Sequence, residues 1–146
     1  MRGIQITLFS IFLISLLVLS GCGMLYGEKI HEEKKDYSEQ VTFKFNLDES
    51  QDIHNINSVV GYSKTRTTSI HANYLATLTL PDGTTQKKSF RVSKTGSKKV
   101  LSASTEQKLF EITPQQGEYT LEIKETDERY FNGKSITVKV YKKEEK

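Results

Sequence analysis

The chain has 146 residues, with 21 Lys or Arg and 18 Asp or Glu, which gives a formal net charge of +3 at pH 7. So weak a balance predicts no nucleic-acid partner. A single cysteine excludes an internal disulfide, so stability must come from an apolar core, which a domain of about 100 residues is large enough to form.

The first residues carry the pattern of an export signal. Arg2 supplies a positive charge, and the run from Ile4 to Val18 is almost wholly apolar. The small residues Ser20 and Gly21 end the run. This pattern predicts a signal peptide over residues 1–21. The alternative is an uncleaved transmembrane anchor, which needs about 20 apolar residues, and this run ends before that length.

The segment that ends the leader reads Leu19-Ser20-Gly21-Cys22 and contains the only cysteine of the chain. It resembles the lipobox of bacterial lipoproteins. The resemblance implies that the Cys22 thiol receives a diacylglycerol and that a signal peptidase cleaves between Gly21 and Cys22. The new amino terminus would then be acylated, for example with palmitate. Two or three acyl chains hold a protein stably on a bilayer, so Cys22 is interpreted as a lipid anchor.

The resemblance also implies a location and a first partner. The mature chain would be lipid-anchored to the cell membrane and would face away from the cytoplasm, with the bilayer as its partner through Cys22. Gly23 follows the cysteine, where an aspartate commonly retains Gram-negative lipoproteins in the inner membrane. We therefore expect the outer membrane in a Gram-negative organism and the outer face of the plasma membrane in a Gram-positive one.

Residues 22–38 are predicted to form the lipidated N-terminus and a flexible tether. The part from Glu28 to Asp36 is charged, mixed in sign and nearly free of large apolar side chains. Such a composition is typical of a solvated linker. A short helix is the alternative, because Glu and Lys favour helices, but no apolar face would support it.

The region 39–142 is predicted to be a single antiparallel β-sandwich, because apolar and polar residues alternate repeatedly in it. The segment Asp48 to Asn57 is predicted to be a loop, and residues 143–146 a charged tail. The turn signal Pro81-Asp82-Gly83-Thr84 predicts a hairpin. The predicted strands cover residues 40–47, 58–62 (short), 70–80, 85–92, 109–112, 118–124 and 135–140.

The last third of the domain resembles the closing strands of an immunoglobulin-like β-sandwich. The resemblance depends on a Pro/Gly corner at 114–117, on Gly117-x-Tyr119 at the start of the next strand and on a final strand led by Asn132-Gly133. It implies an immunoglobulin-like fold in which the Tyr119 hydroxyl bonds nearby backbone. The cysteine pair and the tryptophan of antibody domains are absent from the sequence, so the resemblance is to the broad bacterial group.

The sequence shows no pattern of catalytic or metal-binding residues. His31, His54 and His71 lie far apart, without the spacing of metal ligands. Phosphate-binding loops, zinc-protease motifs and nucleophile elbows are also missing from the sequence. We therefore predict no metal, no cofactor and a non-catalytic protein; a hydrolase with an unrecognised site is the least favoured alternative.

Two groups of residues are candidates for binding. Lys87, Lys88 and Arg91, with more lysines beyond them, could contact anionic lipids or polymers, although lysines of this kind also protect sheet edges. Tyr62 and Arg66 lie near a predicted loop, and Tyr and Arg dominate contact hot spots.

Together these patterns favour a membrane-anchored lipoprotein that acts as a binding or adaptor module at the cell envelope, with an envelope protein or a glycan as partner. A structural subunit of an envelope secretion or motility assembly is the alternative.

Overall fold

The computed structural model describes residues 27–36, 39–62, 69–95, 103–129 and 133–143. These residues form an all-β structure of eight strands. The strands, numbered in chain order, are β1 (Glu28–Asp36), β2 (Gln40–Leu47), β3 (His54–Tyr62), β4 (Ser69–Thr79), β5 (Thr85–Thr95), β6 (Ala103–Ile112), β7 (Gly117–Arg129) and β8 (Gly133–Lys142).

The strands form two antiparallel sheets of four. The first sheet has the order β1-β8-β3-β6 and the second has the order β2-β7-β4-β5. In each sheet the outer pairs join strands whose numbers add up to nine: β1 with β8, β2 with β7, β3 with β6 and β4 with β5. The chain is therefore one long hairpin folded over on itself, and this strand order is that of an eight-stranded jelly roll.

The predicted antiparallel β-sandwich is confirmed, but the immunoglobulin-like strand order is wrong. In an immunoglobulin sandwich the last two strands are neighbours in one sheet. Here β7 lies in the second sheet and β8 lies in the first, between β1 and β3. Alternation of apolar residues shows which face of a strand is buried but does not show which strand lies beside it. The sequence pattern of the last strands is therefore compatible with both the immunoglobulin fold and the jelly roll.

The strand β1 occupies most of the segment that the sequence predicted as a flexible tether, so that prediction is wrong for Glu28–Asp36. The strand pairs with β8 along its whole length, from Glu28 opposite Lys142 to Asp36 opposite Ser135. On its inner side the His31 ring stacks on Phe45, with centroids 5.2 Å apart. A charged sequence forms a strand here because rings and lysine stems cover the core in place of aliphatic side chains.

The core lies between the sheets and takes its side chains from alternate positions of the strands. Tyr74, Tyr119, Phe43, Leu121 and Val138 are among its fully buried members. Two polar stretches also differ from the prediction. Strand β3 begins at His54, inside the predicted loop, and β6 begins at Ala103, well before the predicted short strand at 109–112.

The two ends of the sandwich have different roles in the chain. At one end, called here the terminal end, β1 begins and β8 finishes, with Glu28 opposite Lys142. The β4–β5 hairpin turn also lies at this end: the Gly83 amide donates to the Leu80 carbonyl at 2.9 Å, and Gly83 has a φ of 85°. The predicted hairpin is therefore confirmed. Strands β3, β5 and β7 end at the opposite end.

Candidate binding surfaces

The structure places the sequence-predicted site residues in separate parts of the molecule. The lipobox residues Leu19, Ser20, Gly21 and Cys22 lie outside the described residues, as does Arg66. Tyr62 is the last residue of β3, at the opposite end of the sandwich, where its backbone pairs with Ala103 and Gly133.

Lys87, Lys88 and Arg91 lie on β5, an edge strand of the second sheet, but they do not form one patch. Successive side chains of a strand point to opposite faces. Lys88 therefore shares its face with the buried Phe90, whereas Lys87 and Arg91 share the outward face, where both are exposed. Only the outward pair keeps the arrangement expected of a binding surface.

Lys88 connects the two sheets where their edge strands β5 and β6 lie side by side. Such a junction between edge strands of the two sheets is called here a seam. Its Nζ donates to the Lys108 carbonyl at 2.9 Å, and the Gln107 Nε2 donates in the other direction to the Arg91 carbonyl at 2.8 Å. These carbonyls belong to edge strands, which expose unpaired backbone groups. The side chains thus satisfy edge carbonyls and join the two sheets.

The seam between β1 and β2 is closed in the same manner. The Lys35 Nζ donates to the Thr42 carbonyl of β2 and lies 5.2 Å from the centroid of the Phe43 ring. Glu33 Oε1 lies 3.3 Å from the Lys35 Nζ. Charged side chains that point inward on an edge strand also oppose pairing with another chain. Both seams therefore depend on lysines.

A polar cluster that the sequence did not predict lies on the outer face of the first sheet. It comprises Asn57 of β3, Glu106 of β6, and Lys139 and Tyr141 of β8, and is called here the Glu106 cluster. The Asn57 Nδ2 donates to Glu106 Oε1 at 2.9 Å, and the Lys139 Nζ donates to Glu106 Oε2 at 3.3 Å. The cluster depends on the sheet register, which places Asn57 opposite Lys139, and alternation alone does not give that register.

The Glu106 cluster is well shielded from water for an outer face. Asn57 is fully buried, Tyr141 is 7% exposed, and the side chains of Glu106 and Lys139 are about one-fifth exposed, at 20% and 21%. Burial, followed by the charge of Glu106 and a hydrogen bond to it, raises the pKa of Tyr141 to about 12. One carboxylate thus organises an amide, an ammonium and a phenol. Groups that are shielded and bonded to one another in this way order the sheet.

The terminal end carries a different kind of surface. Ile30 and Ile53 are the large hydrophobic residues that are exposed among the described ones, at 41% and 37%. Ile30 lies in β1 at an irregularity of the register between Lys29 and His31. Ile53 immediately precedes β3, and its carbonyl accepts a hydrogen bond from the Lys143 amide at 2.8 Å. Both isoleucines therefore lie near the point where the described chain begins.

Histidines and acids do not converge on a site in the part of the chain that is described. The ring Nδ1 of the buried His54 lies 2.9 Å from the Asp52 carbonyl, which gives this histidine a structural contact. Within the ranges given above, no group of three His, Cys, Asp or Glu residues is placed to hold a metal ion. None of the described residues belongs to a helix long and apolar enough to cross a membrane.

No family model and no curated protein matches the chain. Solved structures of infectious bursal disease virus are similar to it. The Gt strain structure has a TM-score of 0.39 and 13% identity over 80% of this chain and 32% of the other, and the Gx strain structure has 0.40 and 14% over 79% and 30%. The VP2 subviral particle has 0.39 and 15% over 79% and 31%. The chain thus spans about a third of those chains, and a likeness of this size carries no argument about function.

Proposed function

We propose that the protein is a lipid-anchored envelope protein whose sandwich binds a partner without catalysis. The proposal is supported by the short distance along the sequence between Cys22 and the first strand. Strand β1 starts at Glu28, directly after Gly27, and Gly27 follows Cys22 by five positions. The anchor residue implied by the lipobox resemblance and the folded domain are therefore nearly continuous. The outer faces and the opposite end of the sandwich remain available to a partner.

The surface that supports binding is the outward face of β5, because the groups of the Glu106 cluster are shielded and bonded to one another. This face offers the exposed Lys87 and Arg91, which suit an anionic group. An envelope protein or a glycan that carries an anionic group is the partner class that this face favours.

The anchor is tested with Cys22→Ser expressed in the native host. Wild-type protein is expected to incorporate labelled palmitate and to sediment with membranes, whereas Cys22→Ser is expected to do neither. Because Cys22 is the only cysteine, the substitution removes no other thiol. Ser20→Gly, which keeps a small residue before the cleavage site, serves as the control and should be labelled normally. Equal membrane association of wild type and Cys22→Ser would overturn the anchor.

The binding role is tested by affinity purification of the lipidated protein from its own membranes, followed by mass spectrometry. Binding through β5 predicts a discrete partner that is retained by Lys108→Glu but lost in the double variant Lys87→Glu, Arg91→Glu. A structural subunit would instead purify with a large membrane assembly whatever the β5 charges are. Turnover of an added ester or glycan substrate by the purified protein would contradict the non-catalytic assignment.

A further inference from the structure

The terminal end of the sandwich contains one corner with a distinct composition. This terminal corner comprises Lys29 and Ile30 near the start of β1, Ile53 just before β3, Lys142 at the end of β8, and Lys143 just after it. Single exposed hydrophobic residues are common on protein surfaces and need no explanation. Here, however, both large hydrophobic residues that are exposed in the described structure, Ile30 and Ile53, lie at the same corner. The chain enters the domain at this corner, on the side that leads to Cys22.

We infer that the terminal corner rests in the interfacial layer of the bilayer that holds Cys22, so that the domain lies on the membrane in one orientation. This inference rests on the proposed lipid anchor. The occupant of the corner is thus the lipid surface itself, at the level of the headgroups and the first acyl carbons.

The length of chain between the anchor and the fold supports this position. Gly27 follows Cys22 by five positions, and an extended chain spans at most about 3.6 Å per residue, so the two lie within about 18 Å. The residues that bridge them include Met24, Leu25 and Tyr26. Trp and Tyr are enriched at membrane–water interfaces, so Tyr26 suits that position. A linker of this length keeps the domain close to the surface that holds Cys22.

Lysines lie beside both isoleucines of the terminal corner. Lys29 precedes Ile30 in the chain, and the Lys143 amide donates to the Ile53 carbonyl. Long lysine side chains extend to the headgroup level while their stems cover apolar surface. Two lysines of the corner are paired with acids: Lys29 with Glu32, and Lys142 with Asp52 at 3.0 Å. Asp82 belongs to the β4–β5 turn, on the half of the terminal end formed by the second sheet. Both exposed isoleucines lie on the half formed by the first sheet, so the inference places that half towards the lipid.

The orientation has a consequence for the binding candidates. With the terminal corner on the bilayer, the opposite end of the sandwich points away from it, and Tyr62 at the end of β3 lies far from the lipid headgroups of the same membrane. That end is then presented to a partner in the medium or on a facing surface.

The experiment uses the absence of tryptophan from the chain. Ile30→Trp and Ile53→Trp each introduce a single indole into the lipidated protein, which is reconstituted into vesicles of phosphatidylethanolamine and phosphatidylglycerol. Ser104→Trp, on an exposed position near the start of β6 at the opposite end, is the matched control. We expect a blue shift of the Ile30→Trp and Ile53→Trp emission and strong quenching by brominated acyl chains, with neither effect for Ser104→Trp.

The outcomes separate the inference from the proposal on which it rests. Protein that fails to float with the vesicles would refute the lipid anchor. Protein that floats while all three indoles stay unquenched would refute the docked corner alone. A blue shift without quenching would mean that protein, such as a second copy of the chain, covers the corner, which also overturns the inference. Hydroxyl-radical footprinting of Ile30 and Ile53 in the lipidated wild type gives the same test without substitutions; protection on vesicles is expected.

Discussion

The hydroxyl of Tyr119 and the backbone of Gln115 exchange two hydrogen bonds at the start of β7. The Gln115 amide donates to the hydroxyl oxygen at 2.7 Å, and the hydroxyl donates to the Gln115 carbonyl at 3.1 Å. Burial raises the pKa of the Tyr119 hydroxyl, so it remains protonated and keeps its donor. This is the backbone contact that the sequence predicted for Tyr119, although the surrounding strand order is that of a jelly roll.

Replacing Tyr119 with Phe is expected to lower the free energy of unfolding by about 1–3 kcal/mol, because a part-buried amide and carbonyl lose their partner. Urea unfolding of the purified domain measures the loss. Gln115→Ala is the control: it removes the side chain that contacts Asp82 at 3.4 Å but keeps the backbone groups. A Gln115→Ala loss as large as that of Tyr119→Phe would show that the corner depends on the side chain instead.

Gly117 and Gly83 both have positive φ angles, 137° and 85°, but only Gly117 is crowded. A Cβ at Gly117 would lie 2.9 Å from Pro81 Cβ, whereas a Cβ at Gly83 would meet nothing within 4 Å. We expect Gly83→Ala to cost about 1–2 kcal/mol from backbone strain, and Gly117→Ala about 2–4 kcal/mol from strain and overlap together. Thermal unfolding of the two variants gives the comparison. Equal losses of stability would mean that overlap with Pro81 adds nothing to the cost of Gly117→Ala.

The Glu106 cluster is expected to stabilise the first sheet. Glu106→Ala removes the acceptor of Asn57, Lys139 and Tyr141 and should cost about 2–3 kcal/mol, because hydrogen bonds to a charged group are the stronger ones and their donors are poorly exposed. Glu118→Ala removes an acid whose partner Lys44 lies 3.6 Å away with more than half of both side chains exposed. That control should lose less than about 1 kcal/mol. Similar losses in urea unfolding would contradict a structural role for the cluster.

The raised pKa of Tyr141 predicts a specific loss of stability in alkali. The folded state holds the proton to about pH 12, whereas an ordinary tyrosine releases it near 10.0. The contribution is therefore fully present below pH 10 and is lost as the pH rises from there towards 12. Urea unfolding across this range should show a smaller decline for Tyr141→Phe than for wild type. Parallel curves would mean that the phenol titrates normally.

The neighbouring lysines of β5 provide a matched pair. Lys88→Ala should lose about 0.5–1.5 kcal/mol, because the Lys108 carbonyl at the seam loses its donor. Lys87→Ala, on the outward face, should change stability by less than about 0.5 kcal/mol. If β5 binds an anionic partner, affinity should show the reverse order. Stability losses of equal size would argue against the seam contact.

Strands with clear alternation could be predicted from the sequence, and those whose inner faces are polar could not. Phe43, Phe45 and Leu47 identified β2 because buried and exposed residues alternate strictly there. Strand β1 has His31 and Lys35 on its inner side, where ring stacking and a lysine stem replace aliphatic burial. Strand β3 buries Asn57 and Ser58. Propensity treats such residues as loop residues, and only tertiary contacts show otherwise.

The candidate surfaces were less predictable still, because they depend on which strands are neighbours. Glu106 and Lys139 are ordinary polar positions in their own strands, 33 residues apart, until β3 is placed between β6 and β8. Lys87 and Lys88 are adjacent lysines in the sequence, and only the contact of Lys88 with β6 distinguishes them. Tyr119, in contrast, contacts a residue only four positions away, so a local signal was sufficient.

Pairing strands whose numbers add up to nine also sets an order for folding. The β4–β5 hairpin joins the nearest partners, and each further pair spans a longer stretch of chain, up to Glu28 with Lys142. Distant contacts form late, because their loops are costly to close. If the chain carries the proposed lipid anchor, β1 stays unpaired until β8 has been exported. The enzymes that attach the anchor and cleave the leader would then act before the first strand of the domain has found its partner.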